Sequence, residues 1–187
     1  MTTFTWIEMP TREGASIRRP MTFANLVEKA NWLDAAASLD ARHPEIRELA
    51  IRFMKARGAN DPRGIATDIH AFVRDSISYC YGPSHQEFAD SATILNRPGG
   101  ACDNCAGKSR MFVALCRAVE IEARIVPNFR NPNEFNHVQA QVRWEGSEGE
   151  PRAEPGGWLR VELIVKGVPL GAGPDEGMRI AGKVQLT

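Results

Sequence analysis

Residues 99–116 read GGACDNCAGKSRMFVALC. The stretch passes from a glycine turn, Gly99-Gly100, through Asp103-Asn104 into a run with helical spacing, Phe112, Val113, Cys116 and then Val119 lying inward. Asp103 or Asn104 is suited to cap that helix, and either one leaves Cys105 in its first turn. A helix start favours a thiolate, because its unpaired N–H groups and dipole stabilise negative charge. Lys108 adds positive charge three residues on, while Asp103 opposes it. Cys105 also continues the face of Ser109, Phe112 and Cys116, so its thiol is expected to point toward whatever layer covers the helix.

Upstream of this stretch the period is helical. Residues 22–37 form a first predicted helix after the turn-forming Arg19-Pro20, and His43-Pro44 opens a second, ended by Gly58. Asp61-Pro62, an acidic cap with proline at the first helical position, starts a third, carrying Ile65, Ile69, Phe72, Val73 and Ile77. A loop with Gly82-Pro83 and Arg97-Pro98-Gly99-Gly100 follows, leading to Asp103-Asn104-Cys105.

Downstream the period shortens. Ala123–Val126 is a short strand candidate, and His137–Trp144 alternates with Val138, Ala140 and Val142 on one side. The segment 145–157 reads as an exposed loop; Trp158–Val165 and the weaker Met178–Leu186 alternate again. Helices first and strands afterwards predict an α+β fold: N-terminal helices and a central cysteine-bearing helix packed on an antiparallel sheet. A single domain spans 1–187, with a helical portion at 1–58, a core at 59–172 and a C-terminal strand or tail at 173–187.

Histidine is the natural base for a thiol, and His137 opens a strand beside an asparagine-rich loop. A third group should hold the imidazole by its other nitrogen. Glu162, on the next strand and followed by Leu163, Ile164 and Val165, is an acid in apolar company that needs a partner if buried; Asn131, Asn133 and Asn136 stand behind it as alternatives.

Composition narrows the function classes. Among 187 residues, 23 basic and 23 acidic side chains give zero formal net charge, with no lysine/arginine stripe of the kind nucleic-acid binders carry. No apolar run approaches a membrane-spanning length, and Met1–Ser16 lacks the pattern of a secretory signal. Four unevenly spaced cysteines, Cys80, Cys102, Cys105 and Cys116, are too few for a disulfide framework, so a reducing, cytoplasmic setting with free thiols is expected.

The ordered set of loop-helix cysteine, strand histidine and next-strand acid resembles the transglutaminase-like superfamily of papain-type cysteine enzymes. The resemblance runs over roughly residues 60–172. It rests on Asp61-Pro62 through Ile77-Ser78-Tyr79, on Asp103-Asn104-Cys105-Ala106-Gly107-Lys108-Ser109, on Leu115-Cys116-Arg117-Ala118 through Ala123-Arg124-Ile125-Val126, on Asn136-His137-Val138, and on Gly157-Trp158 with Glu162. Glu120 stands where the family usually has glycine, and Glu162 replaces its commoner aspartate. Val168-Pro169-Leu170-Gly171 is similar to tails in phage-associated members.

The resemblance implies acyl transfer through a thioester, with Cys105 attacking, His137 as base and Glu162 orienting it. Tyr79, Asn104 and Trp158 are candidates for the substrate or oxyanion side. Hydrolysis of a peptide or isopeptide bond in a peptide or protein substrate is the favoured outcome; protein cross-linking and an inactive binding or assembly module are the alternatives. Neither metal nor cofactor is called for, and nucleic-acid and membrane partners are not expected.

Blander readings compete at each position. Cys116 and Cys80 read as small core residues, Tyr79 also as a core aromatic, His43 as part of a helix start, His70 as a surface or core histidine and His85 as a solvated loop residue. Cys102 and Cys105 form a Cys-x-x-Cys, but no second pair stands at zinc-ligand spacing. Cys102, close behind Gly99-Gly100, is the rival nucleophile. Only Cys105 keeps Lys108 three residues after the attacking sulfur.

Overall fold

A computed structural model describes residues 6–11, 16–20, 22–80, 88–128 and 137–172. The predicted Met178–Leu186 strand, His85 and the three alternative asparagines lie outside them.

Two strands, β1 (Trp6–Pro10) and β2 (Ser16–Pro20), form an antiparallel hairpin with Met9 opposite Ile17. Arg19-Pro20, expected to be a turn, is thus the end of a strand. Three helices follow. α1 (Phe23–Asp40) is capped by Thr22, whose hydroxyl accepts from the Asn25 N–H. α2 (Pro44–Arg57) starts after His43 and stops at Gly58, where φ is 92°. α3 (Pro62–Asp75) is capped by the Asp61 carboxylate, which accepts from the Gly64 N–H.

The segment 81–104 is more than a loop. Among its described residues are α4 (Ser91–Leu95), capped by Asp90, and β4 (Cys102–Asp103), which pairs in parallel with the preceding β3 (Ser78–Tyr79). α5 (Cys105–Ala118) then runs through the middle of the molecule. Residues 106–116 of α5 are buried on every side rather than along one stripe, as a helix enclosed by other elements must be. β5 (Glu122–Asn128), β6 (His137–Arg143) and β7 (Leu159–Val161) make a three-stranded antiparallel sheet in that order, with Ile125 opposite Ala140 and Ala140 opposite Val161. Val138, Ala140 and Val142 join Phe112, Leu115 and Cys116 of α5 in one core, each at most 2% exposed. Burying each of the larger of these side chains contributes about 1.5–3 kcal/mol.

Two ion pairs tie the helices around α5. Arg110 makes two hydrogen bonds of 2.7 Å to Asp40, which also accepts from the Ser91 N–H and hydroxyl; the third guanidinium nitrogen donates to the carbonyls of Phe88 and Ala89. This cluster latches the end of α1 and the start of α4 onto the helix that carries Cys105. Arg117 grips Asp34 of α1 at 2.8 and 3.0 Å and also donates to the Ala123 carbonyl.

The connections give the layer a direction. The turn after α5 is closed by the Ile121 N–H donating to the Cys116 carbonyl, so β5 begins where α5 ends. β5 then runs back to Asn128, which pairs with His137, and β6 and β7 alternate between the two ends. The start of α5, the start of β6 and the residues after β7 therefore share one end of the layer; Ala118, Arg143 and Trp158 share the other. No helix among the described residues is long and apolar enough to cross a membrane.

Candidate active site

Asn104 is the cap of α5. Its Oδ1 accepts from the N–H of Ala106 at 2.9 Å and of Gly107 at 3.4 Å, which leaves Cys105 as the first helical residue. Asp103 takes a different role from the capping one considered for it. It is 1% exposed, accepts from the Asn104 N–H at 2.7 Å and faces Arg97 at 3.5 Å. Its carboxylate fills the space beside Gly107, where an added Cβ would lie 2.2 Å from the carboxylate carbon. The Asp103-to-Gly107 spacing is thereby explained: the helix start can hold a buried acid only if the residue four positions on has no side chain.

The four sulfurs separate into three kinds. Cys80 and Cys102 form a disulfide with their Cα atoms 5.6 Å apart, within the ordinary range for such bonds. Cys116 is fully buried, and burial pushes its thiol pKa up, so it is inert. Cys105 is not disulfide-bonded and is partly exposed. The disulfide corrects the expectation of four free thiols, and it removes Cys102 as rival nucleophile in this oxidised state. It also removes the core reading of Cys80. Spacing alone could not reveal a pair 22 residues apart, because the β3–β4 bridge that sets Ser78 opposite Cys102 is a tertiary feature. Arg97 donates to the Cys102 carbonyl at 2.6 Å and so braces the segment entering α5.

Tyr79 is 53% exposed and lies opposite Asp103 in the β3–β4 register, two residues before Cys105 in the chain. The core-aromatic reading is therefore wrong, and Tyr79 stands at the surface beside the strand that leads into Cys105.

Lys108 does not lend its charge to the thiol as expected. It is 1% exposed, and its Nζ donates to the carbonyls of Arg74 at 3.0 Å and Ile77 at 2.7 Å, closing the C-terminal end of α3. Burial lowers its pKa to about 8, against the pull of Asp75 and Glu162. α3 also reaches the far strand. His70, 1% exposed, sits 2.7 Å from the Glu162 carbonyl; a carbonyl can only accept, so Nε2 carries the proton and donates. Burial lowers the His70 pKa to about 4, which keeps the ring neutral. Arg74 donates to the Val168 carbonyl at 2.5 Å. α3 is thus a spacer holding the first turn of α5 and the segment after β7 in fixed relation. No local signal marks this role; His70 reads from sequence as one more helical histidine.

Glu162 is the residue after β7, 5% exposed, with Oε1 accepting from the N–H of Ile164 at 2.6 Å and Val165 at 3.2 Å. His137 is described for its backbone, which pairs with Asn128; its side chain lies outside the described structure. Trp158 is not at this end. It lies next to the start of β7 near Arg143, about 20 Å along β6 from residue 137 at roughly 3.3 Å per residue. Among the described residues no three His, Cys, Asp or Glu side chains gather at metal-binding distance.

The comparisons fit this geometry. The sequence profile described as "Transglutaminase-like superfamily" matches residues 48–163, a span that opens within α2 and closes one residue past Glu162. The crystal structure of a candidate protease from Parabacteroides distasonis superposes with a TM-score of 0.53 at 12% identity; the match covers 87% of this chain and 30% of that one, so the chain spans less than a third of that protein. At that identity the likeness is one of fold. No match was found among curated proteins. With more than half of its length matched by the family profile, this chain belongs to the transglutaminase-like superfamily.

Proposed function

We propose that the protein is a cysteine acyl-transfer enzyme acting on amide bonds, with Cys105, His137 and Glu162 as nucleophile, base and orienting acid. The observation that carries this reading is the state of the sulfurs: of four, only Cys105 is both outside a disulfide and accessible. It stands at the start of a buried helix, at the end of the layer where β6 begins and β7 finishes.

In the first step His137 takes the Cys105 proton, the thiolate attacks the substrate carbonyl carbon, and the carbonyl π-electrons move to oxygen. The backbone N–H of Cys105 helps hold that oxyanion. Collapse breaks the C–N bond, the amine leaves with the proton from His137, and a thioester remains. Water then attacks with His137 again as base, releasing the acid and the thiol. Tyr79 lines the approach. Peptide hydrolysis is the favoured overall reaction, in keeping with the resemblance in the sequence.

The test is a short mass-spectrometric incubation with peptide amides, with and without a primary amine. An acyl adduct on Cys105, absent from Cys105→Ser and resolving to free acid, is expected. Resolution only to the amine conjugate would make the protein a cross-linking enzyme. No adduct with any amide, under conditions where the fold is intact, would refute the reading.

A further inference from the structure

The end of the layer remote from Cys105 holds a shallow, open pocket of about 380 Å³, walled by Arg117, Glu120, Ile121, Glu122, Ala123, Arg124 and Trp158, with Glu122 paired to Arg143. That volume is within the range of small-molecule sites, roughly 300–1,000 Å³. The charges around it are unevenly matched. Arg117 has Asp34, Arg143 has Glu122 and Arg160 has Glu154. Arg124 makes no direct ion pair among the described residues, though Glu154 and Asp34 act on it from farther off. Its Nε donates to the Gln141 side chain at 2.8 Å, and its two terminal nitrogens find no acceptor among the described residues.

The same guanidinium is stacked 3.9 Å from the centre of the Trp158 ring, and Arg143 lies 4.7 Å from that centre. Two cations thus share one aromatic ring, and Arg124 feels its nearest carboxylates, Glu154 and Asp34, only at a distance, with no direct ion pair. Partial burial lowers the Arg124 pKa; Glu154 and Asp34 pull it back up, and Arg143 pushes it further down. The stacking fixes the plane of the fork, which is the geometry a planar, two-oxygen acceptor needs. Ile121 and Ala123 supply an apolar wall for the body of such a ligand. At the lip, Glu120 is held at φ 63°, a left-handed conformation costly for a residue with a side chain.

We propose that this cavity is a binding site for a carboxylate, received by the Arg124 fork with its apolar portion against Ile121 and Trp158. A small organic acid and a peptide C-terminus both present this carboxylate; the site is separate from Cys105 and does not depend on the chemistry assigned there.

The experiment is calorimetric titration with N-acetylphenylalanine, its amide, and a tripeptide ending in phenylalanine with a free or amidated C-terminus. The free acids should bind and both amides should not; the tighter of the two acids identifies the source. Arg124→Gln should weaken binding about tenfold or more, the loss expected for a charge-assisted hydrogen bond. Arg124→Lys should fall between, because it keeps the charge without the fork. Glu120→Gln, at the exposed lip, should strengthen binding, and it keeps the test open if Arg124 variants fold poorly. Equal binding of acid and amide, no change in Arg124→Gln, or no detectable binding to the wild-type protein would each overturn the proposal.

Discussion

At the Cys105 end of the α5–sheet layer, charged and polar groups are buried and bonded within the protein: Asp103 under the helix start, Lys108 on the carbonyls ending α3, His70 on the Glu162 carbonyl, and Glu162 on two backbone N–H groups. At the Trp158 end the charges sit near the surface, Arg124 has no direct ion pair among the described residues, and Glu120 carries left-handed strain. The first end is pinned by long-range bonds through α3. The second is held by the short turn that closes α5 and by the partly exposed Arg117–Asp34 pair. A nucleophile that must keep its place within a few tenths of an ångström belongs at the pinned end, and an open cavity belongs at the other.

Substitutions can break this contrast in order of size. Cys105→Ala and His137→Ala should each lower amide turnover by at least about 10³-fold while leaving thermal unfolding little changed, since such groups act as a unit. Glu162→Gln should reduce turnover less, because it orients rather than transfers the proton. If Glu162→Gln is silent in both turnover and stability, the third assignment is wrong.

Opening the disulfide comes next. The Cys80–Cys102 crosslink closes a loop of 22 residues, worth about 3 kcal/mol by chain entropy. Replacing both cysteines with serine should lower the urea midpoint accordingly, and should cost activity because the segment entering α5 is loosened. A double variant with unchanged stability would show that the bond does not brace this end.

His70 gives a pH test. Its folded-state pKa of about 4 lies below the ordinary 6.5, so the unfolded chain binds the extra proton between those values. Stability from this group is complete above about pH 6.5 and lost as pH falls toward 4, a change of about 3 kcal/mol. His70→Gln, which keeps an N–H donor and does not titrate, should flatten that acid limb in unfolding curves at pH 7 and 4.5. An unchanged limb would mean the ring is not held neutral.

The smallest effect is expected at the far end. Glu120→Gly relieves the left-handed backbone and should stabilise the protein by about 1 kcal/mol, a rise of about 2–4 °C in Tm. A fall in Tm would show that the Glu120 side chain makes a stabilising contact.

The contrast also sorts what could be read in the sequence. Local signals placed elements well: Asp61-Pro62 began α3, Gly58 ended α2, and the alternation from His137 found β6. Cys105 at a helix start was legible for the same reason, since cap, turn and period are all local. The β1–β2 hairpin escaped because five-residue strands flanked by prolines and cross-linked by Glu8 and Arg18 carry little alternation. α4, five residues long, is shorter than two helical turns. The disulfide, the burial of Lys108 and the grip of His70 depend on chain segments 22 to 92 residues apart. Trp158 was drawn toward the active site by its nearness to Glu162 in sequence, and antiparallel strand direction carries it to the opposite end. The positive φ at Glu120 is the physical reason a glycine would suit that position better.

The central claim, that Cys105 is the reactive sulfur and His137 its base, is tested most directly by limiting-dose iodoacetamide at neutral pH, followed by peptide mapping. The account predicts that Cys105 is alkylated first, that Cys116 is spared, and that His137→Ala slows Cys105 labelling markedly without altering the fold. Labelling of Cys102 ahead of Cys105, or a Cys105 rate indifferent to His137, would contradict it.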